Sequence, residues 1–137
     1  MSERDHLLEV SELCQTFRSG HGKNRLLVKA VDKVSFAIKP AETFGLVGES
    51  GCGKTTTGRT IIRLYDPSSG SVRFDGNEIS GRMNGRLRRY ITDNIAMIFQ
   101  DPVESLNPRM TVEEIVGEGL RVRGLKDRQE VRARVIE

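Results

Sequence analysis

Residues 48–55 constrain this chain most, because they read G-x-x-x-x-G-K-T. An apolar run at residues 43–47 precedes them, and a segment with helical spacing at residues 54–64 follows. This strand–loop–helix order is the context in which the pattern cradles a phosphate chain. Glycines let successive backbone N–H groups turn toward an anion, and the helix N-terminus adds positive potential. The sequence therefore predicts a polyphosphate-binding loop rather than a glycine-rich turn with a solvated lysine.

The motif predicts separate roles for the side chains around it. Lys54 would reach the terminal phosphates, and the Thr55 hydroxyl would ligate Mg²⁺. Cys52 has two interpretations, a thiol activated by the amide-rich loop or a residue that only fills a variable position. The predicted nucleotide-binding residues of the loop and first helical turn are Gly48, Glu49, Ser50, Gly51, Cys52, Gly53, Lys54, Thr55 and Thr56.

Size and charge are those of one small domain. The 137 residues are 36% apolar, and the net charge of +3 comes from 22 basic and 19 acidic residues. That balance does not by itself indicate a nucleic-acid partner. Cys14 and Cys52 lack zinc or CxxC spacing, which favours a reduced, cytosolic setting. No signal peptide is visible and no apolar run approaches the roughly 20 residues of a membrane span, so membrane association is expected through a partner.

The hydrophobic pattern predicts strands in the first part of the chain. Continuous apolar runs at residues 43–47 and 95–99 are typical of strands buried on both faces. Strands are predicted at residues 7–17 and 26–38 and a half-buried strand at residues 71–75, with an exposed loop at residues 19–24 and a basic stretch at residues 81–89.

After Pro108 the pattern becomes helical. Thr111 and Glu114 have the spacing of a capping box, in which each side chain bonds to the other residue's backbone N–H. Asp127 and Glu130 repeat that arrangement before the last apolar positions.

Three stretches of the chain resemble one family. Residues 44–57 are similar to the Walker A region of ABC transporter ATP-binding subunits. Residues 98–102, followed by residues 105–112, look like the Q-loop of the oligopeptide/dipeptide branch, and residues 65–72 also fit that branch. The resemblance covers nearly the whole chain. It implies an α/β P-loop NTPase core of the ABC ATPase type with an N-terminal antiparallel β-subdomain, truncated in the helical subdomain.

The resemblance also implies a division of the chain and two further site residues. A β-subdomain and P-loop core would occupy about residues 1–103, and the start of a helical subdomain about residues 104–137. Phe17 would stack on adenine, although an ordinary core phenylalanine of a strand fits the sequence equally well. Gln100 would ligate Mg²⁺ and orient the attacking water, whereas the alternative is a solvated glutamine at a strand end. Lys54 and Gln100 are thus the predicted catalytic residues.

Motifs that the family uses for hydrolysis are missing from the 137 residues. No apolar strand ending in Asp-Glu follows Gln100, no Ser-Gly-Gly occurs, and both histidines precede the phosphate loop. Without a carboxylate to polarise water, the chain is expected to bind a nucleotide and to hydrolyse it poorly or not at all. One alternative is therefore a truncated, non-hydrolysing ATP-binding remnant.

Another alternative is an ABC-type ATPase that acts on DNA. Four arginines favour it, but the cluster lacks interleaved aromatic residues apart from Tyr90, so a solvated basic face is the simpler interpretation. The peptide-importer string at residues 105–112 also argues against it. His6 and His21 have no partner at metal or catalytic spacing and are predicted to be surface residues. The arginines are Arg82, Arg86, Arg88 and Arg89.

For the whole protein, the resemblance implies ATP and Mg²⁺ as cofactors and peptide import as the function. The expected partners are transmembrane permease subunits and a second ATP-binding subunit, with a peptide-binding protein acting indirectly and no nucleic acid. The expected location is the cytoplasmic side of the cell membrane, peripheral through the permease.

Two structural difficulties are predicted. Ala41 stands in a turn where the family usually has glycine, so a positive φ there would be strained. The apolar runs at residues 43–47 and 95–99 would present unpaired edges without the later strands of a parallel core, which favours aggregation.

Overall fold

The computed structural model describes residues 5–19, 26–101 and 106–137. The chain divides into two units, Met1–Ala96 and Met97–Glu137, each with its own internal contacts. Most of the predicted loop at residues 19–24, His21, and the Pro102 and Ser105 positions of the importer string lie outside the described residues.

The first unit is built on an antiparallel sheet with the strand order β2-β1-β3-β4. The register of the central pair runs from Leu8 opposite Ile38 to Ser19 opposite Leu26. The predicted antiparallel subdomain and its half-buried strands are confirmed. The strands are β1 (Leu8–Ser19), β2 (Leu26–Ile38), β3 (Ser69–Phe74) and β4 (Asn77–Glu78).

Two helices, α1 (Lys54–Ile61) and α2 (Gly85–Asn94), complete the core of this unit. Their apolar residues join those of the sheet in one buried cluster, because each element is apolar on only one side. The cluster consists of Val10, Leu13, Ile61, Val72, Ile79 and Ile91.

α2 begins within the basic stretch at residues 81–89, for which the sequence analysis predicts no helix. Asn84 starts the helix, since its side chain accepts a hydrogen bond of 2.8 Å from the Leu87 N–H. Leu87, Tyr90 and Ile91 recur at helical spacing and pack against the core. The arginines of this stretch, Arg82, Arg86, Arg88 and Arg89, are exposed, as the solvated-face interpretation predicts.

The end of α1 is fixed by an arginine in a left-handed conformation. Arg63 has φ +63°, and the N–H groups of Arg63 and Leu64 donate to the carbonyls of Thr60 and Arg59. This is the Schellman arrangement, which usually has glycine at the left-handed position. The Arg63 guanidinium is almost fully buried and bonds to Asp66 at 2.8 Å and to the carbonyl oxygens of Ile79 and Gly81. These bonds offset the backbone strain and tie the end of α1 to the loop after β4.

The turn after β2 confirms the predicted strain at Ala41. The Glu42 N–H donates to the Lys39 carbonyl at 3.2 Å, and Pro40 occupies the first central position of the turn. Ala41, at the second central position, has φ +59°. Glu42 adds a bond of 2.6 Å from the Lys39 N–H to its carboxylate, which holds the turn closed.

The prediction of buried strands at residues 43–47 and 95–99 is wrong for this structure. Neither run forms a strand, and the side chains of Val47 and Ile98 are each 94% exposed. A strand buried on both faces needs a neighbour on each side, and no strand of the described residues pairs with either run. Phe44 packs instead on Phe36 of β2, with stacked rings whose centroids are 4.8 Å apart.

The second unit contains two helices, α3 (Val112–Val122) and α4 (Arg128–Ile136). The predicted capping box of α3 is confirmed by bonds in both directions between Thr111 and Glu114. At α4, Asp127 accepts from two backbone N–H groups, but Glu130 forms an ion pair with Arg134 at 3.1 Å instead of bonding back to the cap. The second box is therefore only half formed.

The two helices pack closely at one small residue. Gly117 is buried, and a Cβ at this position would lie 2.9 Å from Cγ1 of Val131, which is 1% exposed.

Among the residues that the structure describes, none of the helices combines the length and the apolar composition of a membrane span.

Candidate functional site

A β-bulge in β2 contacts the phosphate loop. Gln15 pairs with Val31 and the next residue, Thr16, pairs with Lys29, so Ala30 has no partner on β1. A bulge turns backbone groups out of the regular ladder. A Cβ placed on Gly53 would lie 2.2 Å from the Ala30 carbonyl oxygen, although such contacts essentially never fall below 3.0 Å. The sheet and the loop therefore meet backbone to backbone at Gly53.

The loop itself turns on two glycines with positive φ. Gly51 has φ +83°, and Gly53, the residue that starts α1, has φ +97°. Between them, the Cys52 N–H donates to the Glu49 carbonyl at 3.3 Å. Gly48 lies so close to Cys52 that a Cβ there would be 2.7 Å from the sulfur. The glycines of the motif thus provide space as well as permitted backbone angles.

Lys54 folds back over the loop that it follows. Its Nζ donates to the carbonyl oxygens of Gly48 at 2.7 Å and Glu49 at 2.6 Å, and reaches the Cys52 sulfur at 3.5 Å. An ammonium group has three donors, and here the loop itself supplies three acceptors. The positive charge is therefore held at the mouth of the loop before any anion arrives.

The first turn of α1 leaves its amides available. The first helical bond runs from the Thr57 N–H to the Gly53 carbonyl at 2.8 Å, so the N–H groups of Lys54, Thr55 and Thr56 precede it. Gly53 provides no capping side chain, and the first turn holds no acidic residue. The Thr57 hydroxyl is buried against the Gly53 carbonyl at 3.0 Å, whereas Thr55 is exposed. These uncapped amides lie beside Lys54 and the exposed Thr55, and this arrangement suits a magnesium-bound phosphate.

Phe17 lies on the strand that pairs with the bulged one. It is half-buried and pairs with Val28, two residues along β2 from Ala30, which corresponds to about 7 Å of strand. Its ring meets that of Tyr65 in a T-shaped contact, with centroids 5.1 Å apart and planes at 83°. Phe17 therefore lies near the part of the sheet that the phosphate loop contacts, and its ring packs against that of Tyr65.

The comparisons with known proteins agree with this geometry. A family model described as ABC transporter matches residues 31–137, a range that includes the whole phosphate loop and the helices α1 to α4. The chain belongs to this family.

Its relatives in the family include peptide transport proteins. It is 49% identical over 134 residues to the oligopeptide transport ATP-binding protein OppF of Bacillus subtilis, a match covering 97% of this chain and 43% of that protein. It is 46% identical over 141 residues to the dipeptide transport ATP-binding protein DppF of Lactococcus lactis, covering 100% and 44%. The chain thus spans less than half the length of these relatives.

Solved ATP-binding cassettes share the fold. A post-hydrolysis dimer of the cassette MJ0796, bound to ADP and Pi, matches with a TM-score of 0.77 at 27% identity, covering 94% of this chain and 54% of that one. The structure of cbiO1 from Clostridium perfringens, part of the transporter complex cbiONQ, matches with a TM-score of 0.68 at 26% identity, covering 96% and 48%. The predicted ABC ATPase fold class is confirmed.

Gln100 belongs to the second unit, and its side chain is exposed. Its predicted roles toward Mg²⁺ and water remain predictions. Cys52 is also exposed, with its sulfur against the Lys54 ammonium. In the described parts of the chain no three His, Cys, Asp or Glu side chains converge on a metal site. The Thr55 hydroxyl and the Gln100 amide remain the predicted Mg²⁺ ligands.

Sequence reasoning missed the backbone and aromatic neighbours of the site. The Ala30 carbonyl could not be read from the sequence, because a bulge depends on the register of two strands. In the sequence, Tyr65 stands out only as the first residue of the stretch 65–72 that resembles the peptide-importer branch. The signal that could have indicated its contact with Phe17 is its place directly before the Asp66-Pro67 turn, where the chain returns to β1.

Proposed function

We propose that this chain is the nucleotide-binding part of the ATP-binding subunit of an ABC importer for oligopeptides or dipeptides. The observation that carries the proposal is Lys54, held by the loop carbonyls across a glycine cradle that a Cβ at Gly53 would close. The named relatives supply the substrate class, because both OppF and DppF are peptide transport ATP-binding proteins.

The loop fits the triphosphate of ATP. Lys54 would exchange its bonds to neutral carbonyl oxygens for bonds to phosphate oxygens, and charge-assisted bonds are about twice as strong. The uncapped amides of α1 would add further donors at the same point. Phe17 would stack on the adenine, and the solved cassette that holds ADP supports an adenine nucleotide as the ligand.

Thr55 and Gln100 would hold Mg²⁺, and Gln100 would also orient the water. When bound, the ion neutralises phosphate charge. Thr55 suits this role because it is an exposed residue in the first turn of α1, whereas Thr57 is buried and its hydroxyl donates to the Gly53 carbonyl. We assign the residues after about 103 to the beginning of the helical subdomain.

We assign binding rather than turnover to the 137 residues alone. They contain no carboxylate pair after a strand to activate water, and general-base catalysis contributes about 10²–10⁴-fold to such reactions. In the whole protein, ATP binding and hydrolysis would be coupled to import. Permease subunits and a second ATP-binding subunit would be the partners, with a peptide-binding protein acting indirectly, at the cytoplasmic side of the membrane.

A titration of MgATP and of magnesium tripolyphosphate tests this function. Lys54→Ala should weaken binding of both ligands at least tenfold, because it removes the ammonium group that lies against the loop carbonyls. Lys39→Ala is the matched control, since it deletes an exposed lysine of the same unit away from the loop. Equal affinities of the wild type and Lys54→Ala for both ligands would contradict the proposal. Phosphate release by the wild type should stay at the level of Lys54→Ala.

A further inference from the structure

Tyr65 connects the ring of Phe17 to the helix that begins at the phosphate loop. In a T-shaped pair one ring points its edge at the face of the other, so the contact at 5.1 Å occupies at most one face of Phe17. Tyr65 does not cover the other face. Tyr65 is itself half-buried, which limits the orientations that its ring can adopt.

Bonds to α1 hold Tyr65 on one side. Its backbone N–H donates to the Arg59 carbonyl at 3.3 Å, and Nη1 of Arg59 donates to the Tyr65 hydroxyl at 3.4 Å. Arg59 is part-buried, and its Nε has no hydrogen-bond partner among the described residues. Buried polar atoms usually have a hydrogen-bond partner, so the bond from Arg59 to the Tyr65 hydroxyl is favoured.

Bonds to β1 hold the following turn on the other side. The Ser68 N–H donates to the Cys14 carbonyl at 2.9 Å, and the Ser68 hydroxyl accepts from the Thr16 N–H at 2.9 Å. Thr16 is the residue directly before Phe17. The segment that carries Tyr65 is therefore anchored both to α1 and to the strand beneath the Phe17 ring.

We propose that Tyr65 is a positioning residue that fixes the Phe17 ring for stacking on the nucleotide base, with Arg59 holding Tyr65 to α1. The inference rests on the proposed function, since it needs an adenine nucleotide at the phosphate loop. It adds a specific division of labour. The phosphate end depends on Lys54 and the glycines, whereas the base end depends on a pair of rings.

This division predicts that Tyr65 affects the binding of base and phosphate differently. Losing the ring contact frees Phe17 to rotate, which weakens stacking on the base but leaves the loop and Lys54 in place. Tyr65→Leu should therefore weaken MgATP binding about two- to tenfold and leave magnesium tripolyphosphate within about twofold. Tyr65→Phe keeps the ring and the backbone bond to Arg59 and loses only the long hydroxyl bond of 3.4 Å, so it should bind MgATP within about twofold of the wild type.

A double-mutant cycle separates positioning from structure. If Tyr65 acts through Phe17, then Phe17→Leu combined with Tyr65→Leu should bind MgATP no more weakly than Phe17→Leu alone. The matched control is Tyr90→Leu, which removes the other tyrosine of the chain, whose ring contacts Phe74 instead. This control should leave the ratio of the two affinities unchanged.

Three outcomes would overturn the inference. They are equal weakening of both ligands by Tyr65→Leu, additive losses in the double mutant, and unchanged MgATP binding in Phe17→Leu. Failure of the proposed function looks different, since Lys54→Ala would then leave both ligands unaffected. Tyr65→Phe keeps the inference testable if the leucine variant does not fold, because a large loss of MgATP affinity in this ring-retaining variant would also contradict it.

Discussion

Gly53→Ala tests the contact between the phosphate loop and the bulge in β2. The substitution places a methyl group 2.2 Å from the Ala30 carbonyl oxygen, and the backbone at this position has φ +97°. Neither partner can rotate away, because both the glycine and the carbonyl belong to the main chain. Either the loop must leave the sheet or the bulge must move.

Two controls in the same segment separate the backbone angle from the contact. Gly51 has φ +83° but nothing within 4 Å of an added Cβ, so Gly51→Ala carries only the cost of the angle. Gly45 has neither a positive φ nor a neighbour within 4 Å. Comparing the three alanine variants thus isolates the Ala30 contact.

The magnitudes follow from these differences. A left-handed alanine costs about 1–2 kcal/mol, and the lost flexibility of the unfolded chain returns roughly 0.4–1 kcal/mol. Gly51→Ala should then lower the free energy of unfolding by about 1 kcal/mol. Gly53→Ala adds a steric overlap of about 1–3 kcal/mol, for a total of about 2–4 kcal/mol. Gly45→Ala should stay within about 0.5 kcal/mol of the wild type.

Urea unfolding and MgATP titration of the three variants provide the measurements. The order of stability should be Gly45→Ala, then Gly51→Ala, then Gly53→Ala, and Gly53→Ala should bind MgATP most weakly because Gly53 directly precedes α1. Equal urea midpoints for Gly51→Ala and Gly53→Ala would refute the reasoning. The Ala30 carbonyl would then be free to yield, and the bulge would not define the loop.

Two further predictions concern stability. Ala41→Gly should raise the free energy of unfolding by about 0.5–1 kcal/mol in urea unfolding, because glycine relieves the left-handed strain at φ +59°; a loss of stability would contradict this. The N–H of Thr111 and, to a smaller extent, its hydroxyl donate hydrogen bonds to the Glu114 carboxylate and lower its pKa. The unfolded chain therefore binds the proton of Glu114 more tightly than the folded chain does. The stabilisation is therefore complete above the ordinary pKa of about 4.5 and fades as the pH falls through the lowered value. The difference in melting temperature between the wild type and Glu114→Gln should shrink on acidification, and a constant difference from pH 7 to pH 3 would contradict the assignment.

The local signals in the sequence predicted much of the first unit. Alternating residues defined the strands, and the glycines and Lys54 of the motif defined the loop, because these features depend on neighbours in the chain. α2 was not predicted, because three of its ten residues are arginines and its apolar face consists of only three residues, Leu87, Tyr90 and Ile91. The capping box at Thr111 was predicted because its two partners are three residues apart.

What the sequence could not predict depends on distant pairing. Residues 43–47 and 95–99 have the composition of buried strands, yet composition does not say which neighbour completes the sheet. Likewise, the contact between Ala30 and Gly53 joins residues 23 positions apart along the sequence. The T-shaped pair of Phe17 and Tyr65 is a contact of the same kind, because it needs the turn after α1 to return to β1.

The bulge at Ala30 also limits how this loop can be engineered. Because the loop fits a carbonyl that exists only where β2 carries one extra residue, residues 48–55 are not a self-contained cassette. Transplanting them onto a regular strand would omit the surface against which Gly53 is seated. Deleting Ala30 would remove the irregularity between Gln15 and Thr16 and at the same time remove that surface. A functional transplant must therefore carry the strand and its irregularity together with the loop.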